Sequence, residues 1–185
     1  MFTKKSFLFS LLIIILTITT LYSLGREPFC KCGKVAIWSG DINGPENSQQ
    51  IVDPYSFTHI IHGLAFYGAL HLVAPQVTLP ARLLIAIGVE SGWEVLENTN
   101  FTIDRYREET VSYGYYGDSI LNSISDIIMM VIGFWLAAKL KPWHTVALIV
   151  LIEIILALTI RDGLLINIIM LIWPLEWVKN WQLGI

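Results

Sequence analysis

The chain has 185 residues, a length that suits one domain, but its composition differs from that of soluble domains. Apolar residues make up 55% and charged residues 15%, against roughly 45–50% and about 25% in soluble proteins. The net charge is −3 and the sequence contains no basic stripe, which argues against a nucleic-acid partner. We therefore predict an all-α, polytopic membrane helix bundle, with about five transmembrane helices in a single integral membrane domain.

The first apolar segment, residues 6–24, carries no charge and follows Lys4 and Lys5. It is long enough to cross a hydrocarbon core about 30 Å thick. Small residues at its end would also suit cleavage of a signal peptide. We favour a retained anchor, because the apolar run exceeds the roughly 7–15 residues of a signal core. A polar loop, residues 26–55, follows.

Residues 57–74 form the second predicted span, and residues 82–98 form the third. The third span is unusual because three acids, Glu90, Glu94 and Glu97, interrupt it. A hydropathy window scores this segment weakly, but it lies between strong spans and must return the chain across the membrane.

A second polar loop is predicted over residues 99–117, the fourth span over 118–140 and the fifth over 143–160. The apolar segment that follows, residues 164–181, is interpreted as an interfacial or re-entrant helix. Its tryptophans recur every four residues, a stripe typical of a helix at the headgroup level: Trp173, Trp177 and Trp181.

The positive charges do not decide the orientation by number, since they divide almost evenly between the two sides. We predict a cytoplasmic N-terminus because the basic residues on that side lie against span ends and the loops there are very short. Those residues are Lys4, Lys5, Arg82, Lys139 and Lys141.

Polar side chains gather at one face of the predicted bundle, where the ends of alternating spans meet. The second span contributes His59 and His62, which are one helical turn apart. The third and fourth spans contribute two further stripes at helical spacing: Glu90, Glu94 and Glu97 with Asn98, and Asp118, Asn122 and Asp126. We expect these stripes to face a shared interior.

Several of these acids lie deep in the predicted membrane. Glu90 falls about 12 Å beyond Arg82, and Asp126 falls about 12 Å beyond Asp118. Glu153, in the fifth span, falls about 15 Å deep. A charge at the centre of a membrane helix costs roughly 2.5–3.5 kcal/mol, so the acids need partners or water. Structural ion pairs with arginine, or hydrogen bonds between helices, are the alternative interpretation.

Cys30 and Cys32 are separated by one residue, a spacing that strains a mutual disulfide. Two thiols alone do not complete a four-ligand zinc site. We interpret them as two thiols in an extramembrane loop, with redox or metal-binding roles as alternatives.

Several uncommon residues occur together in a recognisable order. They are Asp53-Pro54-Tyr55-Ser56-Phe57-Thr58-His59 with His62-Gly63, Trp93-Glu94 with Glu97-Asn98, Arg105-Tyr106-Arg107, Gly114-Tyr115-Tyr116-Gly117-Asp118-Ser119 with Asn122-Ser123 and Asp126, and Ile160-Arg161-Asp162 with Asn167 and Trp173-Pro174. From about Cys30 to Leu183 the chain resembles the UPF0314 (DUF2585) family of bacterial membrane proteins. The resemblance implies a multi-pass protein of the bacterial inner (cytoplasmic) membrane, and it implies no reaction.

The first functional hypothesis is a metal-dependent hydrolase or transferase that acts on a lipid or lipid-linked head group at the outer face. Candidate catalytic residues are Glu90, Glu94, Asp118 and Asp126. Candidate ligands of a divalent metal ion are His59, His62, Glu94, Asp118 and Asp126. Candidate substrate-binding residues are Arg105, Arg107, Arg161, Asn98 and Asn122. Further buried polar residues are Glu97, Glu153 and Asp162.

Two other hypotheses belong to different functional classes. A small transporter or ion path would use Glu90, Asp126 and Glu153 as a proton or cation route. A non-catalytic membrane assembly factor would present the loop of residues 26–55 to a partner.

Overall fold

The computed structural model describes residues 4–185. Over this range the chain folds into helices joined by loops, which confirms the all-α class. In chain order the described helices are α1 (Lys4–Ser23), α2 (Ser56–Val73), α3 (Leu79–Glu97), α4 (Asn100–Glu109), α5 (Ile120–Lys139), α6 (Pro142–Thr159), α7 (Leu164–Ile172) and α8 (Glu176–Leu183).

Within residues 4–185, three helices are long and apolar enough to cross a membrane: α1, α5 and α6. They indicate a membrane protein. Helices α2 and α3 have similar lengths, 18 and 19 residues, but histidines and glutamates lower their apolar content. Helix α3 begins at Leu79, three residues before the predicted span. Pro80 suits this first turn because its missing N–H would have no partner there.

Helices α2 and α5 make the closest contact in the bundle, and two glycines allow it. A Cβ atom at Gly63 would overlap the backbone carbonyl oxygen of Met130. A Cβ atom at Gly133 would overlap the backbone carbonyl oxygen of Ile60. Small residues let helix backbones approach each other in membrane bundles, so α2 and α5 form a central pair on which the other helices pack.

An apolar cluster fills one half of the bundle between α3 and α5. Its buried members are Leu83, Ala86, Ile87, Ile127, Met130 and Phe134. Beyond it, at the start of α3, Arg82 is buried and donates to the carbonyl oxygens of Val77 and Pro75. This half of the bundle therefore has an apolar interior closed by one fully bonded arginine.

The loop of residues 26–55 covers the N-terminus of α5. The N–H of Ser119 donates to the carbonyl oxygen of Ser48 at 2.9 Å, and the N–H of Ile120 donates to that of Glu27 at 2.8 Å. The first N–H groups of a helix have no partner within the helix, so these carbonyls complete the N-terminus of α5.

Cys30 and Cys32 form a disulfide within this loop, so the interpretation as two free thiols is wrong. A turn closed by a hydrogen bond from Gly33 N to Cys30 O brings the two Cα atoms to 5.1 Å, within the usual range for bonded cysteines. Gln50 is fully buried beside the disulfide, where it donates to Glu46.

The segment of residues 99–117 contains the ten-residue helix α4, although it was predicted to be a loop. The hydroxyl of Thr99 caps this helix by accepting the N–H of Thr102. The sequence pattern did not predict α4, because the helix is polar and lacks a strong apolar face.

The C-terminal segment, predicted as one helix over residues 164–181, is two helices. Pro174 follows Trp173, the C-cap residue of α7, and does not continue the helix, since proline has no N–H for the next turn. Trp173 therefore ends α7, whereas Trp177 and Trp181 lie on α8. All three indole rings are exposed, as expected for side chains at a membrane surface.

Candidate functional site

The histidines of α2 meet the first acid of α3 in the interior of the bundle. His59 Nδ1 lies 2.6 Å from Glu90 Oε1, and His62 Nδ1 lies 3.0 Å from Glu90 Oε2. Both oxygens of this fully buried carboxylate are therefore occupied by imidazoles, and Glu90 links the two histidines.

Glu94 lies one turn further along α3 and is 0% exposed. Within residues 4–185, neither of its carboxylate oxygens accepts a hydrogen bond. An ion-pair contact of 3.5 Å joins Glu94 Oε1 to His59 Nδ1. Burying a carboxylate without donors costs several kcal/mol, so this group requires a proton or a cation close by.

Asp126 of α5 faces the same interior and is 3% exposed. Its Oδ2 lies 3.8 Å from His59 Nε2. Its Oδ1 accepts no hydrogen bond from any residue in the described part of the chain. The three helices α2, α3 and α5 thus bring one histidine, His59, into contact with acids on both sides.

Two overlapping groups of side chains have the spacing of a metal site. In His59, His62 and Glu90, one donor atom from each residue lies within 4.8 Å of the others, and the same holds for His59, Glu94 and Glu97. Imidazole and carboxylate donors together suit a borderline or hard divalent cation. These residues could hold one such ion, and its positive charge would compensate the buried carboxylate of Glu94.

Asp118 lies before α5 instead of on it, so the stripe predicted over Asp118, Asn122 and Asp126 is partly wrong. The chain turns into α5 only at Ser119, the N-cap residue, because the hydroxyl of Ser119 accepts the N–H of Asn122. Asp118 accepts hydrogen bonds from Asn98 Nδ2 at 2.7 Å and from the Tyr115 hydroxyl at 2.9 Å. Burial raises the pKa of Asp118 to about 6, although both hydrogen bonds oppose the shift.

A cavity of about 650 Å³, including its open mouth, leads to this cluster. Polar residues of the cluster belong to its lining: His59, His62, Glu97, Asp118 and Asp126. The lining also contains apolar residues of α7: Leu164, Ile168 and Leu171. Glu90 and Glu94 lie behind the histidines, outside this lining.

Three tyrosines line the same cavity, and each donates its hydroxyl hydrogen bond to an acid. The pairs are Tyr106 with Glu97 at 3.0 Å, Tyr115 with Asp118 at 2.9 Å, and Tyr55 with Asp162 at 3.0 Å. Burial and the neighbouring acids raise the pKa of all three tyrosines. The phenols are therefore neutral donors near pH 7.

The model of the family described as "Protein of unknown function (DUF2585)" matches residues 21–184. The chain belongs to the DUF2585 family. Among similar proteins named UPF0314, that of Paracoccus denitrificans (strain Pd 1222) is 50% identical over 98% of this chain and 95% of its own length. That of Sphingopyxis alaskensis (strain DSM 13593 / LMG 18877 / RB2256) is 46% identical over 98% of this chain and 97% of its own length. No solved structure matches the chain.

The arginines of this DUF2585 protein that were predicted to bind substrate lie outside the cavity lining, and two of them contact lining residues. Arg105 donates to the carbonyl oxygen of Leu171, and Arg107 donates to that of Tyr115, two lining residues. Arg161 donates to the carbonyl oxygen of Trp181. These bonds use donors of all three guanidinium groups on the backbone, so substrate binding by them stays a prediction.

The two asparagines predicted to bind substrate are also engaged. Asn98 bonds to Asp118 through both its amide nitrogen and its amide oxygen. Asn122 Nδ2 donates to the carbonyl oxygen of Gln50 and to Asp53. Burial raises the pKa of Asp53. In the DUF2585 fold these amides connect the loops to α3 and α5, and their role in substrate binding is untested.

Glu153 and Asp162 lie away from the histidines, around the start of α7. Glu153 accepts the N–H groups of Leu164 and Leu165, which are free at the start of α7. Asp162 accepts the N–H of Gly163 and the Tyr55 hydroxyl. Burial raises the pKa of Asp162 to about 6.

The three tyrosines and Trp93 of this DUF2585 cavity were absent from the residues predicted from sequence. Tyr55 directly precedes α2, and Tyr115 stands three residues before Asp118. Proximity in sequence to a predicted site residue was therefore one available signal, and it extends to Tyr106, which stands between Arg105 and Arg107. All four residues also occur in the motifs that carry the family resemblance.

Proposed function

We propose that this protein is a divalent-metal-dependent hydrolase or transferase that acts on a lipid or lipid-linked head group at the periplasmic side of the inner membrane. The observation that carries the proposal is the carboxylate of Glu94, which is fully buried and accepts no hydrogen bond from residues 4–185. A divalent cation between Glu94 and His59 would compensate that charge. The basic side chain beside Glu94 among residues 4–185, His59, already bonds to Glu90 at 2.6 Å, so it does not satisfy both acids.

The residues divide into two sets by their position. His59, His62, Glu90 and Glu94 surround the proposed metal, which would polarise a substrate oxygen or a water molecule. Asp126 lines the cavity, and we assign one of its two carboxylate oxygens as the general base. The cavity places a bound head group next to both sets.

The membrane arrangement that fits this site has five crossings, by α1, α2, α3, α5 and α6. Helices α4, α7 and α8 then lie at the surface that contains the cavity. Side chains of α7 line the cavity, while Leu165 and Ile172 of the same helix are exposed. An acyl chain in the bilayer could therefore extend past α7 while its head group occupies the cavity. With a cytoplasmic N-terminus, this surface is periplasmic.

The other two candidate functions have less support from the structure. Glu90 and Asp126 lie above the apolar cluster of Ile87, Met130 and Phe134, which offers no polar route to the opposite end of the bundle. Glu153, the third residue of the predicted ion path, caps α7. The loop proposed as a partner surface for an assembly factor is packed on the N-terminus of α5.

Metal content tests the proposal directly. We expect protein purified in neutral detergent to hold about one divalent ion per chain, and Glu94→Gln to lose most of it. Glu176→Gln, an exposed acid on α8, is the matched control and should retain the metal. Chelation should lower the thermal stability of the wild type, because a ligand that binds only the folded state stabilises it.

The proposal would be overturned if the wild type held no divalent ion and showed no thermal shift on addition of zinc, manganese, magnesium or calcium. Head-group release from bacterial lipid extracts, followed by mass spectrometry, then tests the reaction. We expect release by the metal-loaded wild type and a loss of at least a hundredfold in Asp126→Asn.

A further inference from the structure

We infer that the cavity binds a cationic, amine-bearing head group attached to an apolar chain. The inference deepens the proposed function by naming its substrate class, and it rests on that proposal only for the reaction. It assigns the head group a charge, which the proposed function leaves open.

The charge of the cavity lining carries the first part of the argument. Three carboxylic acids line the cavity, Glu97, Asp118 and Asp126. Two histidines also line it, His59 and His62, and lysine and arginine are absent from the described lining. An anionic head group would be repelled by these acids at close range, whereas an ammonium group would be attracted.

An unpartnered oxygen supplies an independent indication of a ligand. Asp126 is only 3% exposed and lines the cavity. Its Oδ1 accepts no hydrogen bond from residues 4–185. A buried acceptor of this kind costs free energy unless a donor occupies the neighbouring space. An ammonium or amine N–H is a donor that also compensates the charge.

Aromatic rings form much of the remaining wall. The rings of Tyr106 and Tyr115 stand at 77° to each other with centroids 5.3 Å apart. The ring of Trp93 stands at 88° to the imidazole of His62, with centroids 6.1 Å apart. Aromatic faces attract ammonium and quaternary ammonium groups, so these walls act in the same direction as the acids.

Helix α7 provides the apolar surface that the alkyl chain of the ligand would contact. Leu164, Ile168 and Leu171 are spaced by four and three residues, so they share one face, and all three line the cavity. The ligand that matches both sides of the cavity therefore has an alkyl chain along α7 and a cationic group among the acids.

The nearest arginines do not reverse this preference. Arg105 and Arg107 donate to the backbone carbonyl oxygens of Leu171 and Tyr115, and neither arginine lines the cavity. Arg105 is also paired with Glu109, and Arg107 with Asp104. Their charges are thus partly compensated outside the cavity.

Three short amphiphiles of equal chain length test the inference: hexyltrimethylammonium, hexyl sulfate and hexanol. Titration calorimetry on the full chain in a neutral detergent should show that hexyltrimethylammonium binds at least tenfold more tightly than the other two. Asp126→Asn and Glu97→Gln should each weaken its binding about tenfold, whereas Glu176→Gln should not change it.

The comparison of the three amphiphiles on the wild type decides the matter even where a variant does not fold. Equal binding of all three, or preferred binding of hexyl sulfate, would overturn the inference. The titration is repeated after chelation, where binding of the cation should persist or tighten because the cavity becomes more negative. A protein that binds no metal but selects the cation would refute the proposed function and leave this inference intact.

Discussion

The two ends of α3 each carry a buried ionisable side chain, and the two side chains differ in their hydrogen-bond partners. At the start of the helix, Arg82 is 8% exposed, and its guanidinium donates to the carbonyl oxygens of Val77 and Pro75 and contacts His71. Near the end of the same helix, Glu94 is completely buried and accepts no hydrogen bond from residues 4–185. Arg82 and Glu94 are thus similarly buried, but the guanidinium of Arg82 is hydrogen-bonded and the carboxylate of Glu94 is not.

This difference separates a structural charge from a candidate functional one. The carbonyl partners of Arg82 belong to the short connection between α2 and α3, and His71 lies in the last turn of α2, so the arginine stabilises a local turn. Glu94 is surrounded by acids and by His59 from other helices, an arrangement that is favourable only with a cation or a proton present. The hydrogen-bond partners of a buried charged group therefore identify the candidate site better than its burial alone.

The largest effect is expected at the apolar end, where α2 and α5 are in closest contact. Gly63→Ala would place a Cβ against the backbone of Met130 and force the two helices apart. We expect a loss of roughly 3 kcal/mol or more in the free energy of unfolding. Gly68→Ala in the same helix is the control, because a Cβ there meets nothing within 4 Å.

Unfolding in a mixed-detergent titration measures both variants. Equal stability of Gly63→Ala and Gly68→Ala would mean that α2 and α5 are further apart than described. The apolar end would then lose its role as the rigid support of the site.

A smaller effect should distinguish Arg82 from Glu94. Arg82→Met removes charged donors from two carbonyl oxygens and should cost about 2 kcal/mol. Glu94→Gln removes an uncompensated buried charge and should leave the metal-free protein as stable as the wild type, or more stable. Thermal unfolding after chelation tests both; marked destabilisation by Glu94→Gln would show that the acid has a structural partner.

The smallest effect concerns Asp162, a buried acid that has partners. Burial raises its pKa from 3.8 to about 6, against hydrogen bonds from Gly163, Tyr55 and Asn167, and the charge of Glu153 raises it further. The folded protein therefore favours the protonated form of Asp162 more strongly than the unfolded chain does. This contribution to stability is complete below about pH 4 and is lost as the pH rises through about 6.

Asp162→Asn should remove this pH dependence. We expect the wild type to lose on the order of 1 kcal/mol per pH unit more than the variant between about pH 4 and pH 6. Thermal melts at several pH values provide the measurement, and the difference between the two proteins cancels the other acids. Parallel curves would show that Asp162 keeps its ordinary pKa.

The sequence alone determined the helical class, the family and the approximate position of the long helices. Apolar runs of 18 to 20 residues are a local property, so their limits could be read within a few residues. Helical spacing also placed His59 with His62, and Glu90 with Glu94, on common faces. These predictions depend on the period of one helix and not on its neighbours.

Only the tertiary structure decided which polar groups have partners. Glu153 proved to cap α7, and Asp118 proved to lie before α5, bonded to Asn98 and Tyr115. Three tyrosines entered the cavity from separate parts of the chain. Hydrogen-bond partners are set by how helices and loops pack, over separations of up to about a hundred residues, and a pattern with a period of a few residues contains no information about them.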